Sequence, residues 1–237
     1  MKKIIYIIIF CLVAGLLGAC HKEPVKTYGN ASLNVVNASQ SVPGMAVFFN
    51  GIKSYFSVWV GPNYNGPITY GGFDEFGQPA GNSTVELVSS LDTTHSFYKK
   101  TLNFSAGSIH SLYIIGRDAP ETLLLEDHIP SYQDSTSGVR FINLSPDSKP
   151  VTINLQGNDA TNTEFSSLAY KQISAFKGYS AKLPFLYNGY TFEVRDAASG
   201  DLLTTFTWTL KPFFCNTLVI GGLEGDGSIN VFPVNHY

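Results

Sequence analysis

Val36-Asn37-Ala38-Ser39 and Ile142-Asn143-Leu144-Ser145 stand 106 residues apart, and the chain around them repeats at nearly that offset. Val47-Phe48-Phe49-Asn50-Gly51 matches Ile153-Asn154-Leu155-Gln156-Gly157, again at 106. Thr84-Val85-Glu86-Leu87 matches Thr191-Phe192-Glu193-Val194 at 107. Leu112-Tyr113-Ile114-Ile115-Gly116 aligns with Thr217-Leu218-Val219-Ile220-Gly221 at 105. Four blocks in one order at a near-constant offset identify a tandem duplication. Two copies of this size predict two domains and not a solenoid.

Each block reads as a strand. Leu33 and Val35, then Val47 and Phe49, alternate with smaller or polar residues, the period of a half-buried strand. Val139 and Phe141, then Val151, Ile153 and Leu155, repeat the pattern. Asn50-Gly51 and Gln156-Gly157 close these runs as turns, because glycine tolerates the positive φ of a tight turn. Further strands are predicted at 84–90, 98–104, 109–116 and 121–126, with counterparts at 190–196, 202–209, 216–221 and 228–232. The one helical candidate after residue 20 is short, around Leu168 to Ala175. The expectation is an all-β chain of two tandem immunoglobulin-like or transthyretin-like β-sandwich domains. They would occupy 31–130 and 139–237, joined by a turn-rich linker at 131–138.

These motifs resemble those of DUF4397, a family of bacterial surface and lipoprotein domains. The second copy carries the pattern more fully, in Phe141 to Asp147, Val151 to Gly157, Leu168-Ala169-Tyr170 and Tyr190 to Arg195. The first copy has Gln40 where the second has Pro146. The resemblance implies a duplicated β-sandwich of exported proteins, with no agreed catalytic residues.

The N-terminus states a destination. Lys2-Lys3 precede an apolar run from Ile4 to Leu17, and Gly18-Ala19-Cys20 follow. The run is short of the roughly 20 apolar residues a membrane span needs, and the layout is that of a secretion signal at 1–19. Leu17-Gly18-Ala19-Cys20 resembles the lipobox of bacterial lipoprotein precursors, which makes Cys20 the lipidated residue and 20–30 a flexible tether. The expected location is the bacterial cell envelope, lipid-anchored, at the outer membrane on either face. Asp92-Thr93-Thr94 and Asp134-Ser135-Thr136 resemble the short O-glycosylation sequon of exported Bacteroidetes proteins.

Processing leaves Cys215 as the single free thiol, so no internal disulfide can form and the core must hold the fold. Its apolar surroundings, Phe213-Phe214-Cys215-Asn216-Thr217-Leu218, suit a buried inert thiol better than a nucleophile. With Lys2 and Lys3 removed from 15 basic residues against 18 acidic ones, the formal charge is −5. A mildly acidic chain without a basic run argues against nucleic acid. Abundant aromatic residues and glycine, with only 2 Met, fit a β-rich extracytoplasmic protein.

Between the repeat's glycine and its following tyrosine, the first copy has 18 residues (52–69) and the second 12 (158–169). The longer segment holds Tyr55, Phe56, Trp59 and Tyr64, rings suited to stacking on a glycan or a protein partner, or to packing over an open sandwich end. Glu126-Asp127-His128 has metal-ligand chemistry, but successive strand side chains face opposite ways and cannot converge. Asp74-Glu75 reads as a solvated loop pair, and Gly221 to Gly227 as a hairpin turn because a strand follows it. No catalytic residue, metal site or cofactor is expected. The leading function is a non-enzymatic binding or structural role. The alternatives are an accessory subunit of a nutrient-uptake or pilus-like assembly, and an enzyme whose site assembles between the two copies.

Overall fold

A computed structural model of the chain describes residues 29–53, 66–158 and 162–236. It is all-β apart from one helical turn. The first half comprises β1 (Asn30–Asn37), β2 (Gly44–Phe49), β3 (Ile52–Lys53), β4 (Ile68–Thr69), β5 (Phe73–Pro79), β6 (Gly81–Ser89), β7 (Ser96–Phe104), β8 (Ile109–Ile115) and β9 (Glu121–Glu126). The second has β10 (Thr136–Asn143), β11 (Val151–Leu155), β12 (Thr163–Leu168), β13 (Lys177–Ser180), α1 (Phe185–Asn188), β14 (Tyr190–Asp196), β15 (Leu202–Trp208), β16 (Cys215–Gly221) and β17 (Asn230–His236).

The two halves share a topology. In the first, an outer sheet β3-β2-β6-β7, with β4 on β2, faces an inner sheet β5-β1-β8-β9. In the second, the outer sheet is β12-β11-β14-β15 and the inner one β13-β10-β16-β17. Leu33, Val35, Val47, Val85, Leu87, Leu112 and Ile114 fill the first core. Phe141, Ile153, Phe192, Val194, Leu218 and Ile220 fill the second.

The repeated Asn-x-Ser is explained at once. Asn37 is buried, and its amide donates to the carbonyls of Val42 (2.8 Å) and Ile68 (3.1 Å) while its oxygen accepts from Ser39 N (3.1 Å). Asn143 does the same with Leu168 O (3.1 Å), Ser148 Oγ (2.9 Å) and Ser145 N (3.1 Å). One side chain therefore folds the turn after the inner strand and braces it to the outer sheet, a task suited to a short amide.

The pairing registers also correct the fourth repeat block. Val35 pairs with Leu112 in the parallel β1–β8 ladder, and Phe141 with Leu218 in β10–β16. Leu112 thus corresponds to Leu218 at an offset of 106, where the sequence match placed it against Thr217. A slip of one residue exchanges the two faces of a strand. The glycines agree: Gly116 and Gly222 take φ of 102° and 82°, and a Cβ there would lie 2.3 and 2.2 Å from Ala119 O and Ser228 O.

Three other expectations change. The segment around Leu168–Ala175 is not a helix, because β10 takes its backbone groups: Lys171 N donates to Asn143 O (2.7 Å) and Ser174 N to Phe141 O (2.8 Å). The final strand, expected to end before Pro233, runs to His236; β17 is a sheet edge, where a missing N–H costs no ladder bond. Asp74 lies in strand β5 and not in a solvated loop; it is half-buried, and desolvation pushes its carboxyl up to about 6.

The inner sheets have a second buried face. Val36, Tyr113 and Ile115 of the first half pack with Ile142, Val219, Phe232 and Val234 of the second in a third core. The four sheets therefore stack, with the two inner ones back to back. Inner strands buried on both faces are why β10 and β16 show almost unbroken burial.

Candidate functional site

Cys20, Tyr55, Phe56, Trp59 and Tyr64 lie outside the described residues. Two other places gather functional chemistry: a cleft where the halves meet, and a pocket at one end of the second half.

The cleft is an open space of about 810 Å³ lined by Ser108, Glu126, Asp127, His128, Tyr132, Arg140 and Phe176 among others. At its base Asp127, just past β9, meets Arg140 of β10. The Arg140 Nη2 donates to Asp127 Oδ1, and Ser111 Oγ donates to Oδ2 at 2.6 Å. The pair is buried, with side chains 8% and 0% exposed. Arg140 Nε donates to Thr217 Oγ1 (2.8 Å), and Thr217 Oγ1 lies 2.7 Å from His236 Nε2. Thr217 Oγ1 has one proton and two lone pairs, so the direction of its bond to Nε2 follows the ring's tautomer; the other ring nitrogen is Nδ1. That Nδ1 is buried without a partner among the described residues. Desolvation pushes His236 down to about 4, and the Tyr113 hydroxyl beside this network up to about 12. Phe176 covers the guanidinium, its ring centroid 4.4 Å from Cζ.

Asp127 and His128 do not converge with Glu126. Asp127 turns inward to arginine, while Glu126 and His128 are exposed. No group of three or more metal-ligating side chains occurs among the described residues. Cys215 is buried, and desolvation raises its thiol. The cleft's charged centre is thus an internal ion pair whose partners come from different halves.

The pocket is a half-open space of about 660 Å³, walled by Tyr187, Trp208, Leu210 and Phe214, with Lys211, Asn216 and Asn235 also on its lining. It is apolar with a few polar groups, the composition of a small-molecule site, and it falls within the roughly 300–1,000 Å³ such sites occupy. Local structure builds it in three steps. Trp208 ends β15, stacked on Phe206 with centroids 5.9 Å apart at 17°. Gly189 closes α1 at φ 69°, and a Cβ there would lie 2.4 Å from Trp208 O, so only glycine lets α1 sit this close and hold Tyr187 at the rim. The turn Lys211 to Phe214 then leaves Phe214 46% exposed. Asn216 on β16 pairs in register with Asn235 on β17.

This pocket was missed in the sequence because Phe213-Phe214 reads as the start of an apolar strand. Pro212 is the available signal: it separates Trp208 from Cys215 with a turn, leaving two adjacent rings outside the ladder.

A model of the family described as a domain of unknown function, DUF4397, matches residues 31–156. No curated protein matches the chain. Similar solved structures include the maltoheptaose complex of CBMbc (family CBM26) from Eubacterium rectale Amy13K, 10% identical over 86% of this chain and 96% of that one, TM-score 0.27. Another is the Bacillus anthracis TIE protein, 12% identical over 83% and 34%, TM-score 0.25. A third, a streptococcal virulence factor described for alpha-glucan binding, is 9% identical over 85% and 97%, TM-score 0.23. Likeness at these scores bears on neither ligand nor activity.

Proposed function

The chain belongs to the DUF4397 family, and we propose that it is a lipid-anchored protein of the bacterial cell envelope whose role is binding and not catalysis. In this reading the two halves are tandem immunoglobulin-like sandwiches, held to the outer membrane through Cys20 by the tether 20–30. The observation that carries the binding role is the pocket of Tyr187, Trp208 and Phe214: the first and last rings stand exposed, Trp208 is half-buried against the second core, and no segment of the described chain fills the space. Aromatic side chains left open to solvent beside a few polar groups are the usual means of gripping a ligand. The ion-paired centre of the cleft supports the same reading, since Asp127 and Arg140 are bonded to each other and not poised toward a substrate.

Two experiments test this. Cys20→Ser should leave an unacylated, uncleaved precursor in membrane fractions; normal processing overturns the anchor. The mature protein should be retained on an array of envelope and plant polysaccharides, and a Tyr187→Ala/Phe214→Ala variant with unchanged melting should lose retention. An array that retains neither protein overturns the binding role.

A further inference from the structure

Resting on the binding reading above, we propose that the pocket takes an acidic sugar ring, a pyranose bearing a carboxylate. Three observations converge on that chemistry.

First, Lys211 is the one charged side chain on the pocket's lining, in a chain of formal charge −3. Its Nζ stands 5.9 Å from the Phe214 ring centroid, and it makes no ion pair with any described residue. A lysine without a carboxylate partner at the edge of an apolar wall presents a local positive charge, complementary to an anion. Lysine acts there as a point charge with three donors, which suits a carboxylate that sits at the edge of a ring.

Second, Asn216 is 4% exposed, lines the pocket and makes no side-chain hydrogen bond to any described residue. Its amide is not sealed from solvent, so water in the pocket serves it, and a ligand that displaces that water has to replace those hydrogen bonds. Asn216 offers two donors and an acceptor, and Asn235 beside it offers the same. Groups that both donate and accept, the hydroxyls of a sugar, satisfy both ends of such amides; a bare carboxylate offers acceptors only and leaves the amide oxygens without a donor.

Third, Tyr187, Trp208 and Phe214 line the same space. Their rings offer apolar surface for the C–H face of a pyranose, while amides and ammonium meet its hydroxyl and carboxylate edge. The rings give contact area, Asn216 gives orientation, and Lys211 selects for charge.

Isothermal titration of the full mature protein with hexagalacturonate, hexamannuronate and cellohexaose tests the assignment. At least one acidic hexamer should bind about tenfold or more tighter than cellohexaose, the worth of one charge-assisted hydrogen bond. Lys211→Met, at an exposed position, should erase that difference without changing the melting temperature. Asn216→Val should weaken both acidic and neutral ligands. Equal affinity for cellohexaose, or selectivity that survives Lys211→Met, overturns the acidic assignment and leaves the binding role standing. Failure of both acidic hexamers to bind also overturns it, whereas retention of nothing on the polysaccharide array is the separate failure of the binding role.

Discussion

His236 shows how far a single residue's behaviour depends on its neighbours. In the sequence it is one of 5 scattered histidines. In the fold it is buried at the meeting of the halves, with Thr217 on Nε2, the Asp127 carboxylate drawing it up and the Arg140 guanidinium pushing it down. Desolvation outweighs both, and the imidazole falls from 6.5 to about 4. The unfolded chain therefore takes up a proton first, so this group's contribution to stability declines as pH falls from about 6.5 and levels below about 4. The loss is of order 3 kcal/mol. Urea unfolding at pH 7 and pH 4 should show His236→Gln losing less stability than the parent by up to that amount. An identical loss in both proteins would remove His236 as the cause. Asn37 and Asn143 are the contrasting case, because their work is local and the repeat exposes it.

At the scale of the element, β1 carries neighbours that face different layers. Val35 enters the first core and Val36 the third. A sandwich strand with one face in water would make Val36 a surface position, where a substitution changes stability by no more than about 0.5 kcal/mol. Here both are 0% exposed, so Val35→Ala and Val36→Ala should each cost about 1–3 kcal/mol by chemical denaturation. A Val36→Ala cost near zero would mean the inner sheets do not stay packed in solution. Strand existence was legible from alternation and turn residues. The parallel pairing of β1 with β8 was not, because it joins strands separated by the whole outer sheet.

The whole molecule is organised by that third core and by the ion pair at its edge. Asp127 belongs to the first half and Arg140 to the second, and Lys171 Nζ reaches Glu121 across the same junction at 2.6 Å. The exposed Lys171 pair contributes little. The buried pair behaves differently: Arg140→Met leaves an uncompensated carboxylate and should cost about 3–5 kcal/mol, whereas the Asp127→Leu/Arg140→Met double variant should recover most of it. A double-mutant cycle measures this coupling directly. Additive losses would show that the two side chains do not act as a pair. Calorimetry of the parent should give one transition, since neither half can expose its inner sheet without breaking the shared core.

By itself the sequence determined the repeated motifs, the all-β class and most strand positions. These follow from short-range causes: side-chain alternation, glycine turns and an asparagine that bonds within its own motif. Tertiary structure alone decided that the inner sheets pack back to back, that Asp127 is an arginine's partner, and that Trp208, Lys211, Phe214 and Asn216 share one pocket. The reason is physical. A strand's pattern states that one face is apolar, but the neighbour covering the other face comes from a distant part of the chain, and so does each partner of a buried charge.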